Sequence, residues 1–129
     1  MTKKILVVDD EPDFVRIILA KLKAQGYEAV SAVNGKDAVK EAQEQKPDLI
    51  VMDIVMPDME GTDAVRLLHT DPRTANIPII FISGAMVNLR ENEETRQATI
   101  NGKNFTAIAK PFKAERLIAE IENILRKNQ

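Results

Sequence analysis

Five polar residues stand where apolar runs of this 129-residue chain end. Asp9 and Asp10 follow ILVV at 5–8, Asp53 follows LIVM at 49–52, Ser83 follows IPIIFI at 77–82, and Lys110 follows FTAIA at 105–109. Asp53 raises the sharpest question. It sits inside LIVMDIVMP (49–57), and a carboxylate is costly to bury unless something pairs with it or binds it. Ligands of open α/β sheets bind beyond the carboxyl ends of the strands, where strand order reverses. If the first and third strands are neighbours there, Asp9, Asp10 and Asp53 share one cleft. Three carboxylates in a cleft repel, so either one keeps a proton or a cation joins them. A hard divalent ion suits all-oxygen ligands, and Mg²⁺ takes one or two carboxylates while keeping positions for water and phosphate. A carboxylate can also act as a nucleophile and form an acyl phosphate. Lys110 would neutralise charge on the incoming phosphoryl group, and Ser83 could donate a hydrogen bond to it. The expected chemistry is phosphoryl transfer to Asp53.

The elements that must position these residues alternate along the chain. Short runs rich in Val and Ile, at the positions above and more weakly in YEAVSAV at 27–33, read as strands. Between them lie segments of helical period. Residues 12–25 place Phe14, Val15, Ile18, Leu19 and Leu22 on one face, with Gly26 as a cap. Residues 36–46 carry Ala38, Val39 and Ala42 and stop at Pro47. Residues 62–69 carry Val65, Leu67 and Leu68, and residues 113–127 carry Leu117, Ile118, Ile121, Ile124 and Leu125. Near-continuous apolar strands imply burial on both faces, as in a parallel sheet covered by helices. Right-handed crossovers then give a three-layer α/β sandwich. Segment 86–103 lacks a good apolar stripe and reads as a short, exposed helix ending near Gly102.

Composition bounds the rest. The length suits one domain, residues 1–129, with no output domain expected. Hydrophobic residues are 44% and charged residues 29%, as in a folded globular chain. The net charge of −2 gives no electrostatic reason to expect nucleic acid or an anionic membrane as partner. With no cysteine, a disulfide framework and a thiolate metal site are excluded. Two lysines and four apolar residues at the N-terminus are too little for a signal peptide. No run reaches the length of a membrane span, so the cytoplasm is the expected location.

Each residue also has a plainer reading. Asp9, Asp10 and Glu11 could simply favour the N-terminus of the first helix. Asp53 could be a surface acid past a strand, Ser83 a loop hydroxyl, and Lys110 a solvated turn lysine. MPDMEG at 56–61 could be only a turn, and Met52, Met56 and Met59 core or loop filler. His69 has no metal partner spaced around it and reads as exposed and idle. The charged run 90–96 reads as a solvated face.

Taken together, VVDDEP (7–12), MDIVMPDMEG (52–61), FISGA (81–85) and AKPF (109–112) resemble the receiver domains of two-component response regulators. The resemblance runs from ILVVDDEP to the last helix, and it rests on the order and spacing of motifs that are individually short. It implies a flavodoxin-like sheet of five parallel strands in the order 2-1-3-4-5 with five helices; that order is shared by flavodoxin and chemotaxis receivers and comes from the resemblance, not from periodicity. It implies Asp53 as phosphoacceptor, and Asp10, Asp9, Asp53 and the Val55 carbonyl as ligands of Mg²⁺ or Mn²⁺. Ser83 matches the hydroxyl that moves toward the phosphoryl group. Lys110 matches the motif lysine, before a cis Lys110–Pro111 bond. The donor would be a sensor histidine kinase or a histidine phosphotransfer protein. The output would be a changed surface around the family's fourth helix, fifth strand and fifth helix, read by a downstream protein. Such a receiver catalyses its own phosphorylation and turns over no external substrate.

The chain departs from the pattern where output is transmitted. Ala107 stands three residues before Lys110, where an aromatic is usual, and Phe105 lies two residues earlier on the same strand face. NGKNFTA replaces the usual acidic Gly-Ala stretch before the last strand. Three other readings compete. A phosphorylation-independent interaction module of this fold would typically lose the acids or the lysine. An aspartyl-phosphate phosphohydrolase usually needs a second Asp two residues after the nucleophile, where this chain has Val55. A nucleotide-binding flavodoxin-like protein would want a glycine-rich phosphate loop after the first strand. Val55 and Ala85 occupy the positions two after Asp53 and two after Ser83, and neither side chain can orient water. The acyl phosphate is therefore expected to hydrolyse slowly, as measured by loss of protein-bound phosphate; a half-life of seconds would refute this.

Overall fold

The computed structural model describes residues 2–54, 61–83, 95–100, 103–109 and 112–127. For residues 61, 62, 83, 95–100, 103, 104 and 109 the backbone alone is described. The elements are β1 (Lys4–Val8), α1 (Pro12–Ala24), β2 (Glu28–Ala32), α2 (Gly35–Gln45), β3 (Leu49–Asp53), α3 (Gly61–Thr70), β4 (Ile79–Ser83), β5 (Thr95–Ile100), β6 (Lys103–Ala109) and α4 (Ala114–Lys127). The sheet order is β2-β1-β3-β4-β6-β5. Its first five strands are parallel and keep the expected 2-1-3-4-5 order.

The sixth strand corrects the sequence reading. Residues 95–100 form β5, antiparallel to β6, where the end of an exposed helix is expected. Four helices, not five, therefore stand among the described residues; residues 86–94 lie outside them. The reason is local. Register pairs Ile100 with Lys103, leaving Asn101-Gly102 between, and Asn-Gly is the favoured dipeptide for a two-residue hairpin connection. Thr95, Thr99 and Ile100 are β-branched and suit the pleated strand. The helix end expected near Gly102 lies outside the described residues.

Two apolar layers clamp the sheet. On one face Ile5, Val7, Leu49, Val51, Ile80, Ile82 and Ile108 pack against Ile18 and Leu22 of α1 and Leu117, Ile121 and Leu125 of α4. On the other, Leu6, Val8, Ile50, Met52, Phe81, Phe105 and Ala107 pack against Ala38 and Ala42 of α2 and Ala64, Val65 and Leu68 of α3. Alternation along each strand supplies both layers, so β1 after Lys4 and β3 before Asp53 are wholly apolar. Leu67 departs from the reading of α3: it is 46% exposed, and Ala64 takes the inward position.

Helix ends follow their sequence signals. Pro12 presets the first turn of α1. Gly26 adopts φ 93°, its N–H donates to the Lys23 carbonyl, and Tyr27 N–H donates to that of Leu22, which is a Schellman cap. Asn34 caps α2 by accepting from Asp37 N–H at 2.8 Å, a structural use for a residue at the edge where ligands would bind.

Beyond α3, Asp71 organises the turn into β4. Arg73 donates to it through its guanidinium at 2.8 Å and its backbone N–H at 2.9 Å, and Gln43 of α2 donates at 3.0 Å. These bonds, led by the Arg73 side chain, hold the Asp71 carboxyl at about 2, below its ordinary 3.8. A lowered carboxyl pKa stabilises the fold above the unfolded value, and that contribution is lost as pH falls toward the folded one. Urea titrations between pH 3.8 and about 2 are expected to show a flatter loss of stability in Asp71→Asn than in wild type. Parallel curves would show that the turn contributes nothing through this charge.

Candidate functional site

The β1–β3 register builds the site. Val8 pairs with Met52, so the next step along both strands brings Asp9 beside Asp53. Asp9 N–H donates to the Ala32 carbonyl at 3.2 Å, which ties the start of the loop to the end of β2. The Asp9 carboxylate accepts from Glu11 N–H at 2.9 Å, so the chain turns sharply there before α1. Glu11 occupies the N-cap position but makes no capping hydrogen bond with its side chain. Capping by Glu11 therefore does not explain the acidic run.

Asp9, Asp10 and Asp53 each offer a carboxylate oxygen, and these oxygens lie within 4.8 Å of one another. Asp9 is fully buried, Asp53 is 7% exposed, and Asp10 is exposed. Neighbouring oxygens on one octahedral Mg²⁺ are about 3 Å apart and opposite ones about 4.2 Å, for a bond length of roughly 2.1 Å. The three acids lie close enough for side-chain adjustment to bring them onto one such ion. The donor set, hard oxygens with one carboxylate open to solvent, is compatible with Mg²⁺.

The other sequence-derived residues are placed in part. Asp53 pairs with Ile82, and Ser83 ends β4 beside Ala109 of β6. The Ser83 backbone therefore reaches the same sheet edge, one residue beyond the rung of Asp53. Val55, Ala85, Lys110 and Pro111 lie outside the described residues. Met52 is core, as expected.

The region expected to hold a switching aromatic is built differently. Ala107 pairs with Phe81, and both are buried. Phe105 meets Phe81 edge to face, with ring centroids 5.5 Å apart. The ring of His69, at the end of α3, stacks on Phe105 at 5.6 Å and 18°. His69 is therefore not idle; its ring covers the core. Phe105 lies two residues farther than Ala107 from the carboxyl edge, and its ring serves packing there. Only the third dimension could show this, because His69 and Phe105 are far apart in sequence.

A family model for the response regulator receiver domain matches residues 5–122. The chain belongs to this family. It is 35% identical over 125 residues to Protein PilH of Pseudomonas aeruginosa, covering 95% of this chain and 97% of PilH. It is 31% identical over 129 residues to the alkaline phosphatase synthesis transcriptional regulatory protein PhoP of Bacillus subtilis, but spans only 51% of that protein. Among solved structures, a Francisella response regulator 1452 receiver domain superposes with TM-score 0.81 at 25% identity, over 99% of this chain and 100% of that one. The receiver domain of the sensor histidine kinase PA1611 from Pseudomonas aeruginosa superposes with TM-score 0.72 at 29% identity, over 98% and 97%. That structure has a magnesium ion coordinated in its active-site cleft. No helix among the described residues is long and apolar enough to cross a membrane.

The crowding of the three acids has a consequence that calorimetry can read. Without metal, Asp10→Asn removes one of three mutually repelling charges and is expected to raise Tm by a few degrees. With Mg²⁺ the order reverses: wild type gains stability by mass action, while the variant binds on the order of tenfold or more weakly. Equal Mg²⁺-induced shifts in both proteins would show that the acids do not share an ion.

Proposed function

We propose that this protein is a stand-alone receiver that accepts a phosphoryl group on Asp53 from a phosphohistidine of a sensor kinase or phosphotransfer protein. The observation that carries the reading is the meeting of Asp9, Asp10 and Asp53 within 4.8 Å at the end of a parallel sheet.

In this reading an Asp53 carboxylate oxygen attacks phosphorus. The new P–O bond forms as the P–N bond to imidazole breaks, and the departing ring nitrogen regains its electron pair. Asp9, Asp10 and Asp53, with the Val55 carbonyl, would hold Mg²⁺ or Mn²⁺, which when bound neutralises charge on phosphoryl oxygens. Burial of Asp53 at a strand end fixes its carboxylate for in-line attack and limits water. Lys110 follows β6 directly and would meet the phosphoryl charge, while Ser83 would donate to it. The protein turns over no external substrate and works in the cytoplasm, without nucleic acid or membrane. Its partners are the phosphodonor and a downstream protein that reads the changed surface. With β5 at residues 95–100, that surface includes a strand where the family reading places part of its fourth helix.

The first test is intact mass after incubation with Mg²⁺ and a small-molecule phosphodonor. Wild type is expected to gain one phosphoryl group, Asp53→Asn none, and chelation of Mg²⁺ should abolish the gain. No adduct on folded, Mg²⁺-binding wild type would overturn the proposal in favour of a phosphorylation-independent interaction module.

A further inference from the structure

At the amino-terminal edge of the sheet, away from the acids, Lys3 stands between two adjoining hollows. One, of about 530 Å³, is walled by Pro47, Ile77, Pro78 and Leu125 and also meets Asp48 and Arg73. The other, of about 460 Å³, is lined by Tyr27, Glu122 and Arg126. Lys3 and Leu125 line both, which joins them into one groove. β1 has five residues, so the groove lies roughly 16 Å from the acid cluster at about 3.3 Å per residue.

The backbone along this edge is already used. Glu28 N–H donates to the Lys3 carbonyl and Asp48 N–H to that of Lys4, while Lys4 N–H donates to the Asp48 carboxylate. A ligand must therefore be held by side chains. Arg73 is engaged by Asp71. Lys3 is half-buried, yet among the described residues its side chain has no ion pair or hydrogen bond, and neither has that of Arg126. A cation partly withdrawn from water without an anion loses hydration and gains nothing in return. Tyr27 adds a hydroxyl. Burial first, then the Glu122 charge, pushes that phenol up, while Arg126 pulls it down. Donors thus gather around Lys3, and apolar walls lie beside them. A hollow of this size with apolar walls and a few convergent polar groups suits a small molecule. We propose that the groove binds a small amphipathic carboxylate, its head at Lys3 and Arg126 and its apolar body between Pro47, Ile77 and Pro78. Glu122 and Asp48 weaken the field at the head, so the affinity is modest. The proposal does not depend on phosphorylation of Asp53.

Amide NMR titration with hexanoate tests it. Saturable shifts are expected at Lys3, Tyr27, Ile77 and Leu125, with Asp9 and Asp53 unmoved. Acetate lacks the apolar body and should bind about tenfold or more weakly. 1-Hexanol lacks the charge and should bind about 3-fold or more weakly. Lys3→Met should raise the dissociation constant for hexanoate about 2- to 5-fold, while Glu122→Gln should lower it about 2-fold. These opposite signs separate a lost charge from a damaged fold. No saturable shift at these amides would overturn the proposal. So would equal affinities for hexanoate and 1-hexanol, or for wild type and Lys3→Met.

Discussion

Two acids side by side at the end of an apolar sheet are the constraint on which the rest of this structure depends. Asp9 and Asp53 are almost wholly buried, and their oxygens approach each other and Asp10 within 4.8 Å. At an effective dielectric near 20, two charges at such a separation repel by roughly 3 kcal/mol. Neither can drift apart without moving a strand, because β1 and β3 are ladder-bonded through Val8 and Met52 one step earlier. The fold therefore holds in place a cluster that solvent alone would disperse. That is the state in which a cation is most strongly favoured.

What holds the strands is a core built on both sheet faces. Leu6 and Val8 point to the layer under α2 and α3, while Ile5 and Val7 point to the layer under α1 and α4. Each such side chain contributes roughly 1.5–3 kcal/mol on full burial. Much of that offsets chain entropy. A slip of one residue in β1 would exchange both layers and move Asp9 away from Asp53. The same packing that stabilises the domain thus sets the separation of the acids.

Much of this was legible in the chain. Unbroken apolar runs at 5–8 and 49–52 have no other good explanation than strands buried on both faces, and a polar residue at the end of each is then at the sheet edge. Helical stripes in 12–25 and 113–127 were equally plain, the second with charges opposite. The failures have physical causes. Leu67 looks like core by type, but the turn of α3 points it outward, and Ala64 is too small to advertise its burial. His69 lacks any sequence neighbour that would reveal its stack on Phe105. The pairing of β5 with β6 had a signal in Asn101-Gly102 after the β-branched Thr99 and Ile100, but the charges of 90–96 suggested a solvated helix and hid it.

These misses fall on one side of the molecule, and the side matters. Around Asp53 the chain keeps every acid that the family pattern asks for. Around Ala107 it keeps little: Phe81 lies beside the small residue in register, and Phe105 and His69 fill the layer below. A large ring at 107 would have to compete with Phe81 for buried volume, and overpacking a dense core typically costs 1–3 kcal/mol. The ring that other receivers use as a mobile element therefore has no ready place here. What β6 offers in exchange is a ladder to β5, in register from Ile108 to Lys103. The strand that carries Ala107 and ends one residue before Lys110 is thus held on one side by β4 and on the other by β5.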